Sequence, residues 1–296
     1  MYKNLLAGIT TVVHHGTRLN ITNPVLNIYQ EPQSLHSVKF EKRWKWKLNN
    51  PLLKNKACVI HTGEGTDQQS SEEINHLLDF NLLNRKLVAV HGVAMNVLQA
   101  KKFIGLIWCP ESNRVLLNKH ARIKDLKAHT PLLFGTDSTL TGNWNLWHHL
   151  RFARTLHQVD DAELFEMITR APAKIWNLNN GELKTDKDAD IVIVKKKNGI
   201  PTWDEVFKTN PEDILMIIHR GRIKMYDKAM HPQLVGSPVN LHHFSRIILK
   251  GHMKYVEGDL PGLISSLKSH NPQLNFPVDV FEPISHTNQE NLGFSA

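Results

Sequence analysis

The sequence of 296 residues predicts an α/β fold, a (β/α)8 TIM-type barrel that lacks one strand. Seven strand-like runs occur between residues 9 and 137, and most of them alternate with helix-like segments. Three of these runs end at a histidine or an aspartate, and in a parallel barrel such strand ends converge on one mouth. A shorter open sheet is the competing architecture.

The strand candidates are apolar runs that stop at a glycine or a polar residue. The first follows Gly8, which stands where a helix C′ glycine is expected, and it contains five consecutive β-branched residues. The candidates begin near Ile9, Pro24, Leu35, Ala57, Leu87, Ile104 and Pro131.

Helix candidates lie between the strands. Residues 40–48 form a basic, Trp-containing stretch, and Ser70 and Glu73 have the spacing of a capping box before a helix with Ile74 and Leu77 on one face. Residues 93–103 and 145–156 are two further helix predictions. Residues 111–114 are predicted to form a polar loop.

The pattern changes after about residue 169. We predict a polar turn over residues 181–187, a strand over 189–194, and a hairpin of strands 214–219 and 223–226. A helix is predicted near residues 260–267. The last ~15 residues are predicted to be disordered.

Composition is that of a globular protein, with 41% hydrophobic and 22% charged residues. The net charge of +8 is spread along the chain, and its two local clusters, residues 42–47 and 195–197, match no nucleic-acid motif. No apolar run approaches the ~20 residues that span a membrane. Cys58 and Cys109 both lie in strand-like runs, which favours buried free thiols. We therefore expect a cytoplasmic protein without a nucleic-acid or membrane partner.

The polar residues at the strand ends suggest hydrolytic chemistry. His61, His91 and Asp137 end three strands, and imidazole and carboxylate are ligands of zinc-like metals. Glu64 lies just past the His61 strand and suits a carboxylate that shuttles protons. An aspartate before a helix often serves only as an N-cap, but the other strand ends favour a functional Asp137. The histidines that we interpret as core imidazoles or as exposed residues are His14, His15, His148 and His149.

Four motifs occur in an order that resembles a known family. They are His61-Thr62-Gly63-Glu64, Val90-His91-Gly92, Cys109-Pro110-Glu111-Ser112-Asn113 and Gly135-Thr136-Asp137-Ser138. Together they resemble the amidohydrolase superfamily, in the branch that includes triazine hydrolases and the guanine, cytosine and adenosine-type deaminases. Residues 189–192 resemble the strand that returns from the barrel to that family's β-sandwich. The resemblance covers most of residues 5–230.

The resemblance implies a role for each motif. His61 would be a metal ligand, Asp137 both a ligand and the general base, and Glu64 the proton shuttle. His91 would orient the hydrolytic water or polarise the substrate, and Ser112 and Asn113 would shape the loop at the mouth. The implied cofactor is one divalent metal, zinc or alternatively iron. The implied reaction is hydrolysis of a non-peptide carbon–nitrogen bond in a small molecule, such as deamination. A homo-oligomer, an assembly of identical chains, is a further possibility that the sequence leaves undecided.

One departure from the family affects both fold and function. The family's first barrel strand ends in His-x-His, which supplies two metal ligands, and no such motif is present here. The adjacent pair His14-His15 is a poor substitute, because neighbouring side chains on a strand point to opposite faces. The resemblance therefore indicates an N-terminally truncated barrel, strands two to eight, over residues 1–176. Residues 177–230 would be β-sandwich strands and residues 231–296 a C-terminal extension.

The alternative to an enzyme is a truncated, catalytically incompetent remnant or a binding protein. We expect that residues 1–296 alone are not a competent enzyme, since a catalytic zinc site ordinarily uses three protein ligands.

Overall fold

Parallel strands form the first part of the protein, in a computed structural model that describes residues 1–197 and 202–280. The strands are β1 (Thr11–Val13), β2 (Asn27–Tyr29), β3 (Gln33–Leu35), β4 (Cys58–Thr62), β5 (Leu87–His91), β6 (Gly105–Trp108) and β7 (Leu132–Phe134). Each begins within three residues of its predicted start.

These strands form two parallel sheets. β1 pairs with β2, and β3 to β7 form a five-stranded sheet in which the strands lie in sequence order. All five residues of β5 are buried, as expected for a parallel strand covered on both faces. The predicted parallel α/β architecture is present. No hydrogen-bonded ladder joins β2 to β3 within the described ranges, so closure into one barrel stays a prediction.

Helices connect the parallel strands and cover them. They are α1 (Tyr2–Leu6), α2 (Trp44–Leu48), α3 (Gln68–Asp79), α4 (Val97–Ala100), α5 (Pro110–Leu117), α6 (Ile123–Leu126), α7 (Leu146–Thr155), α8 (Asp161–Glu166) and α9 (Arg170–Trp176). Ile74 and Leu77 of α3 pack in the same buried cluster as Ile60 of β4 and Leu106 of β6. This apolar contact fixes the strand ends relative to one another.

The prediction of a polar loop over residues 111–114 is wrong, because these residues lie in α5. Pro110 occupies the first turn, where a missing N–H leaves no helical hydrogen bond unmade. Asn118 ends the helix in the left-handed conformation, with φ +52°. The helix places three consecutive polar side chains beside the strand ends.

The predicted capping box at α3 is also wrong. Asp67 caps the helix instead, since its Oδ1 accepts the Ser70 N–H at 2.8 Å. Glu73 accepts the backbone N–H of Lys39 and not that of Ser70. The cap therefore lies three residues earlier than predicted.

The third strand begins at Gln33, two residues before its predicted start, and ends at Leu35. A turn follows it, in which Ser37 accepts hydrogen bonds from the backbone N–H groups of Phe40 and Glu41. This turn directs the chain away from the sheet towards α2.

An antiparallel sheet forms the second part of the protein. Its strands are β8 (Ile191–Val194), β9 (Ile214–His219), β10 (Arg222–Asp227), β11 (Phe244–Leu249), β12 (His252–Glu257) and β13 (Asp279–Val280), in the spatial order β13-β11-β12-β10-β9-β8. The helices of this part are α10 (Trp203–Phe207), α11 (His231–Leu234) and α12 (Leu260–His270). The predicted hairpin is confirmed as β9 and β10.

Strands from both sides of residue 230 join this sheet. The division of the chain into residues 1–176, 177–230 and 231–296 therefore stays a prediction. The predicted disordered tail falls on residues that lie outside the described ranges.

Two other sequence-based expectations concern cysteines and membranes. Cys58 and Cys109 are both buried and unpaired, which confirms the prediction of buried free thiols. Across residues 1–197 and 202–280, none of the helices is long and apolar enough to cross a membrane.

Candidate active site

The ends of β4 and β5 bring two of the predicted residues together. The parallel register places His61 beside Val90 and Thr62 beside His91. The imidazole rings of His61 and His91 stack, with centroids 5.3 Å apart and planes 27° apart. Their shared position follows from the parallel pairing, because the carboxyl ends of neighbouring parallel strands lie at one edge of a sheet.

Glu64 reaches the same place through the turn that follows β4. Its Oε1 lies 3.5 Å from Nε2 of His91, and the carboxylate is half-buried. Gly63 makes this turn with φ +62°, and a Cβ there would lie 2.8 Å from Cδ1 of Ile74. Only glycine suits that position, because it combines a left-handed backbone with contact against the core.

Asp137 lies two residues beyond Gly135, past the end of β7, and is held by α5. The Ser112 hydroxyl donates a hydrogen bond to Oδ2 of Asp137. Both Asp137 and His91 have positive φ angles, +55° and +73°. Non-glycine residues in the left-handed region are uncommon and cluster at functional sites, where the surrounding structure holds them.

The buried side chain of Asn113 holds His91. Oδ1 of Asn113 lies 2.7 Å from Nδ1 of His91, and both residues are almost completely buried. Since Nε2 faces Glu64, both ring nitrogens of His91 face oxygen atoms. Whichever ring nitrogen carries the proton therefore has an oxygen atom to receive it.

Two further histidines, His15 and His36, join this cluster. Their ring centroids lie 5.0 Å and 5.2 Å from that of His61. The sequence-based interpretation of His15 as a core or exposed residue misses that its ring faces the cluster. The strand-end rule that identified His61 also applies to both, since His15 and His36 each follow a short strand within two residues. His14 points elsewhere, with Nε2 2.8 Å from the Thr17 carbonyl oxygen.

Burial lowers the pKa of two imidazoles in this cluster, those of His15 and His61. Burial lowers the pKa of His15 to about 4, with further lowering from His61 and His14. Burial and the neighbouring His91 lower the pKa of His61, whose Nδ1 lies 2.8 Å from the carbonyl oxygen of His36. Neutral imidazoles keep a lone pair on one nitrogen, which a metal or a proton can use.

The predicted metal ligands form an incomplete set. His61 and Asp137 are both near this mouth, but within residues 1–197 and 202–280 no three His, Cys, Asp or Glu side chains are placed to hold a metal ion together. A catalytic zinc ordinarily needs three protein ligands. The described side chains therefore do not fit a complete catalytic metal site.

A cavity of 320 Å³ opens beside the cluster, between the turn after β3 and the start of α3. His36, His61 and Glu64 line it together with Phe40 and Asp67. A larger cavity of 590 Å³ lies at the opposite, amino end of β7, beside Pro131 and Leu132. None of the candidate residues lines the larger one, so the smaller cavity is the candidate substrate pocket.

Comparison with known sequences supports one family. A profile described as Amidohydrolase family matches residues 52–230. The 5-methylthioadenosine/S-adenosylhomocysteine deaminase of Pyrococcus horikoshii is 26% identical over 210 residues, which are 62% of this chain and 50% of that protein. The 5'-deoxyadenosine deaminase of Methanococcus maripaludis is 30% identical over 193 residues, 60% of this chain and 42% of that protein. The chain spans about half the length of the curated relatives it matches.

Comparison with solved structures supports the fold. The aminofutalosine deaminase of Helicobacter pylori superposes with a TM-score of 0.52 at 18% sequence identity. The superposition covers 65% of this chain and 58% of that chain.

Proposed function

Because this chain belongs to the amidohydrolase family, we propose that it acts as a hydrolytic deaminase on an adenine-type nucleoside. The reaction adds water to the carbon that bears the exocyclic amino group, and ammonia leaves. The observation that carries the proposal is the placement of Glu64 and His91 3.5 Å apart, at the strand end beside the candidate pocket. The adenosine-type substrates in the relatives' names support this substrate class.

Each residue then has one task. Asp137, oriented by Ser112, is the base that accepts a proton from the attacking water. Glu64 carries a proton to the departing nitrogen. His91, oriented by Asn113, polarises the substrate or holds the water. Hydrolytic deamination needs such groups, because water is a weak nucleophile and an amide anion is a poor leaving group.

A metal-dependent deaminase would need a complete set of metal ligands at this site. Amidohydrolases are generally metal-dependent. His61 and Asp137 are the ligands that we predict, and zinc or iron is the metal that we expect. The described ligand set is incomplete.

A second candidate is an amidohydrolase fold without catalytic activity. It is favoured by the same incomplete ligand set, and it agrees with our sequence-based expectation that residues 1–296 alone are not competent. The two candidates make opposite predictions for turnover.

The test is ammonia release from adenosine, 5'-deoxyadenosine and 5'-methylthioadenosine, with and without added zinc. The deaminase candidate predicts turnover by the wild-type protein and a fall in kcat of at least ~10²-fold in Glu64→Gln, because a neutral amide cannot carry the proton. Bound metal, measured by mass spectrometry, should be unchanged by Glu64→Gln. Glu72→Gln, an exposed glutamate of α3, is the matched control and should leave kcat unchanged.

Absence of ammonia release from all three nucleosides, with either zinc or iron present, would reject the deaminase and favour the inactive fold. Full activity of Glu64→Gln would reject the proton-shuttle role alone.

A further inference from the structure

We propose that Glu111 and His149 are positioning residues for Asp137, which act by clamping the far end of the loop on which Asp137 lies. Their role in catalysis rests on the proposed deaminase function. The clamp itself does not, because it consists of contacts with the backbone of this chain.

The clamp holds Asn143 from two sides. Oε1 of Glu111 accepts the backbone N–H of Asn143 at 3.2 Å. Nε2 of His149 lies 2.6 Å from the backbone carbonyl oxygen of the same residue, to which it donates. Both backbone groups of Asn143 are therefore satisfied by side chains from α5 and α7.

The two clamping side chains also contact each other. Nδ1 of His149 lies 2.8 Å from Oε2 of Glu111. Both atoms are buried, and neither makes a hydrogen bond in the part of the chain that the structure describes. Oε2 of Glu111 has a second, longer contact of 3.4 Å with Nδ1 of His148. His149 is fully buried, so the pair is a built contact and not a surface encounter. A buried polar atom without a partner is costly. Because Nε2 of His149 donates to Asn143, these two atoms satisfy each other through one proton held between Nδ1 and Oε2.

The loop packs tightly against the clamp. A Cβ at Gly142 would lie 2.8 Å from Cε1 of His149. Side chains at this position would therefore push the loop away from α7.

Consecutive residues of α5 hold the two ends of the loop. Ser112 donates to Asp137 at the beginning of the loop, and Glu111 holds Asn143 near its end. Between these anchors the loop is exposed, and Leu140 has 93% of its surface in solvent. An exposed segment with few apolar contacts opens easily, so the anchors determine how precisely Asp137 is held.

Precision at Asp137 matters for the proposed reaction. Its φ of +55° is a conformation that the surrounding structure has to maintain. Misplacement of a catalytic group by about 1 Å can cost ~10²-fold in rate. The clamp is thus expected to affect kcat much more than KM.

The test uses four variants. Glu111→Ala removes the clamp on α5, and Gly142→Ala displaces the loop from His149 without altering either clamping side chain. Glu111→Gln is the conservative variant, since its amide can accept from Asn143 and donate to His149. His148→Gln is the matched control, because His148 lies 3.4 Å from the same Glu111 oxygen but is half-exposed and makes no hydrogen bond to Asn143.

Two measurements are made on each variant: amide hydrogen exchange over residues 138–143, and kcat and KM for the nucleoside turned over by the wild type. Glu111→Ala and Gly142→Ala should raise exchange in the loop at least ~10-fold. They should also lower kcat ~10²-fold while KM stays within about threefold. Glu111→Gln and His148→Gln should resemble the wild type in both measurements.

Unchanged loop exchange in a folded Glu111→Ala protein would overturn the proposal. Loss of activity in Glu111→Gln as large as in Glu111→Ala would also overturn it, because the carboxylate charge rather than the clamp would then be required. If the wild type turns over no nucleoside, the proposed function fails, and hydrogen exchange alone still decides whether the clamp exists.

Discussion

At the scale of single residues, the first turn of α5 organises the candidate site. Ser112 holds Asp137, Asn113 holds His91, and Glu111 holds the loop that follows Asp137. Three neighbouring side chains can do this because successive helical positions point in directions about 100° apart. Asp137 and His91, which are proposed to take part in the reaction, are thus held by α5, a helix that supplies no acid or base itself.

Asn113→Ala should destabilise the protein by about 1–3 kcal/mol, because Nδ1 of the buried His91 loses its partner. Urea unfolding measures the change. Val115→Ala on the exposed face of the same helix is the control and should stay within about 0.5 kcal/mol of the wild type. An Asn113→Ala protein as stable as that control would show that the contact with His91 is not needed for the fold.

At the scale of elements, a buried lysine joins the strands of the antiparallel sheet. Lys254 of β12 has no exposed surface, and its Nζ donates to the carbonyl oxygens of Glu212 and Ile214 and to Oδ2 of Asp227. All three donor positions of the ammonium group are used, at 2.7, 2.8 and 2.6 Å. A buried charge is tolerated when it is paired and fully hydrogen-bonded in this way.

Lys254→Met should lower the free energy of unfolding by about 3–5 kcal/mol, because it leaves the Asp227 carboxylate and two carbonyl groups without their partner. Thermal and urea unfolding measure the loss. The matched control is Lys250→Met in the turn between β11 and β12, where the lysine is mostly exposed and a change below about 1 kcal/mol is expected. Equal effects of the two substitutions would contradict a special role for Lys254.

At the scale of the whole molecule, Asp190 connects the parallel and antiparallel parts. Its Oδ2 accepts from Thr10 before β1 and from Asn180 after α9. Its Oδ1 accepts the backbone N–H of Arg220 and lies 2.8 Å from Nδ1 of His219 in β9. Burial alone would raise the pKa of Asp190, but these hydrogen bonds outweigh it and lower the pKa to about 2.

Asp190→Asn should cost about 2 kcal/mol of stability at neutral pH, and the difference from the wild type should shrink in acid. The folded pKa of about 2 lies below the unfolded value of 3.8, so the folded state binds fewer protons between these values. The stabilisation is therefore complete above about pH 5 and is lost as the pH falls towards 2. Urea unfolding across this range measures it. Asp188→Asn is the control, because the carboxylate of Asp188 is more exposed. If the difference in unfolding free energy between the wild type and Asp190→Asn did not change with pH, the ionisation argument would be contradicted.

The local sequence determined the strands and the residues at their ends. Apolar runs predicted seven strands, and the strands that end at His61 and His91 brought Glu64 and His91 into one neighbourhood. This succeeded because parallel pairing is a regular geometry in which the position of a residue along its strand sets its place in the sheet. The family resemblance rests on the same strand ends.

Only the tertiary structure decided which side chains support those strand ends. The contacts of Asn113 with His91, Ser112 with Asp137 and Glu111 with Asn143 join residues 22, 25 and 32 positions apart. The proline and the polar residues at the start of α5 resembled a loop, because local propensity is a weak guide where packing stabilises a helix. The burial of Lys254 likewise depends on partners brought from distant segments, and no local pattern encodes those distances.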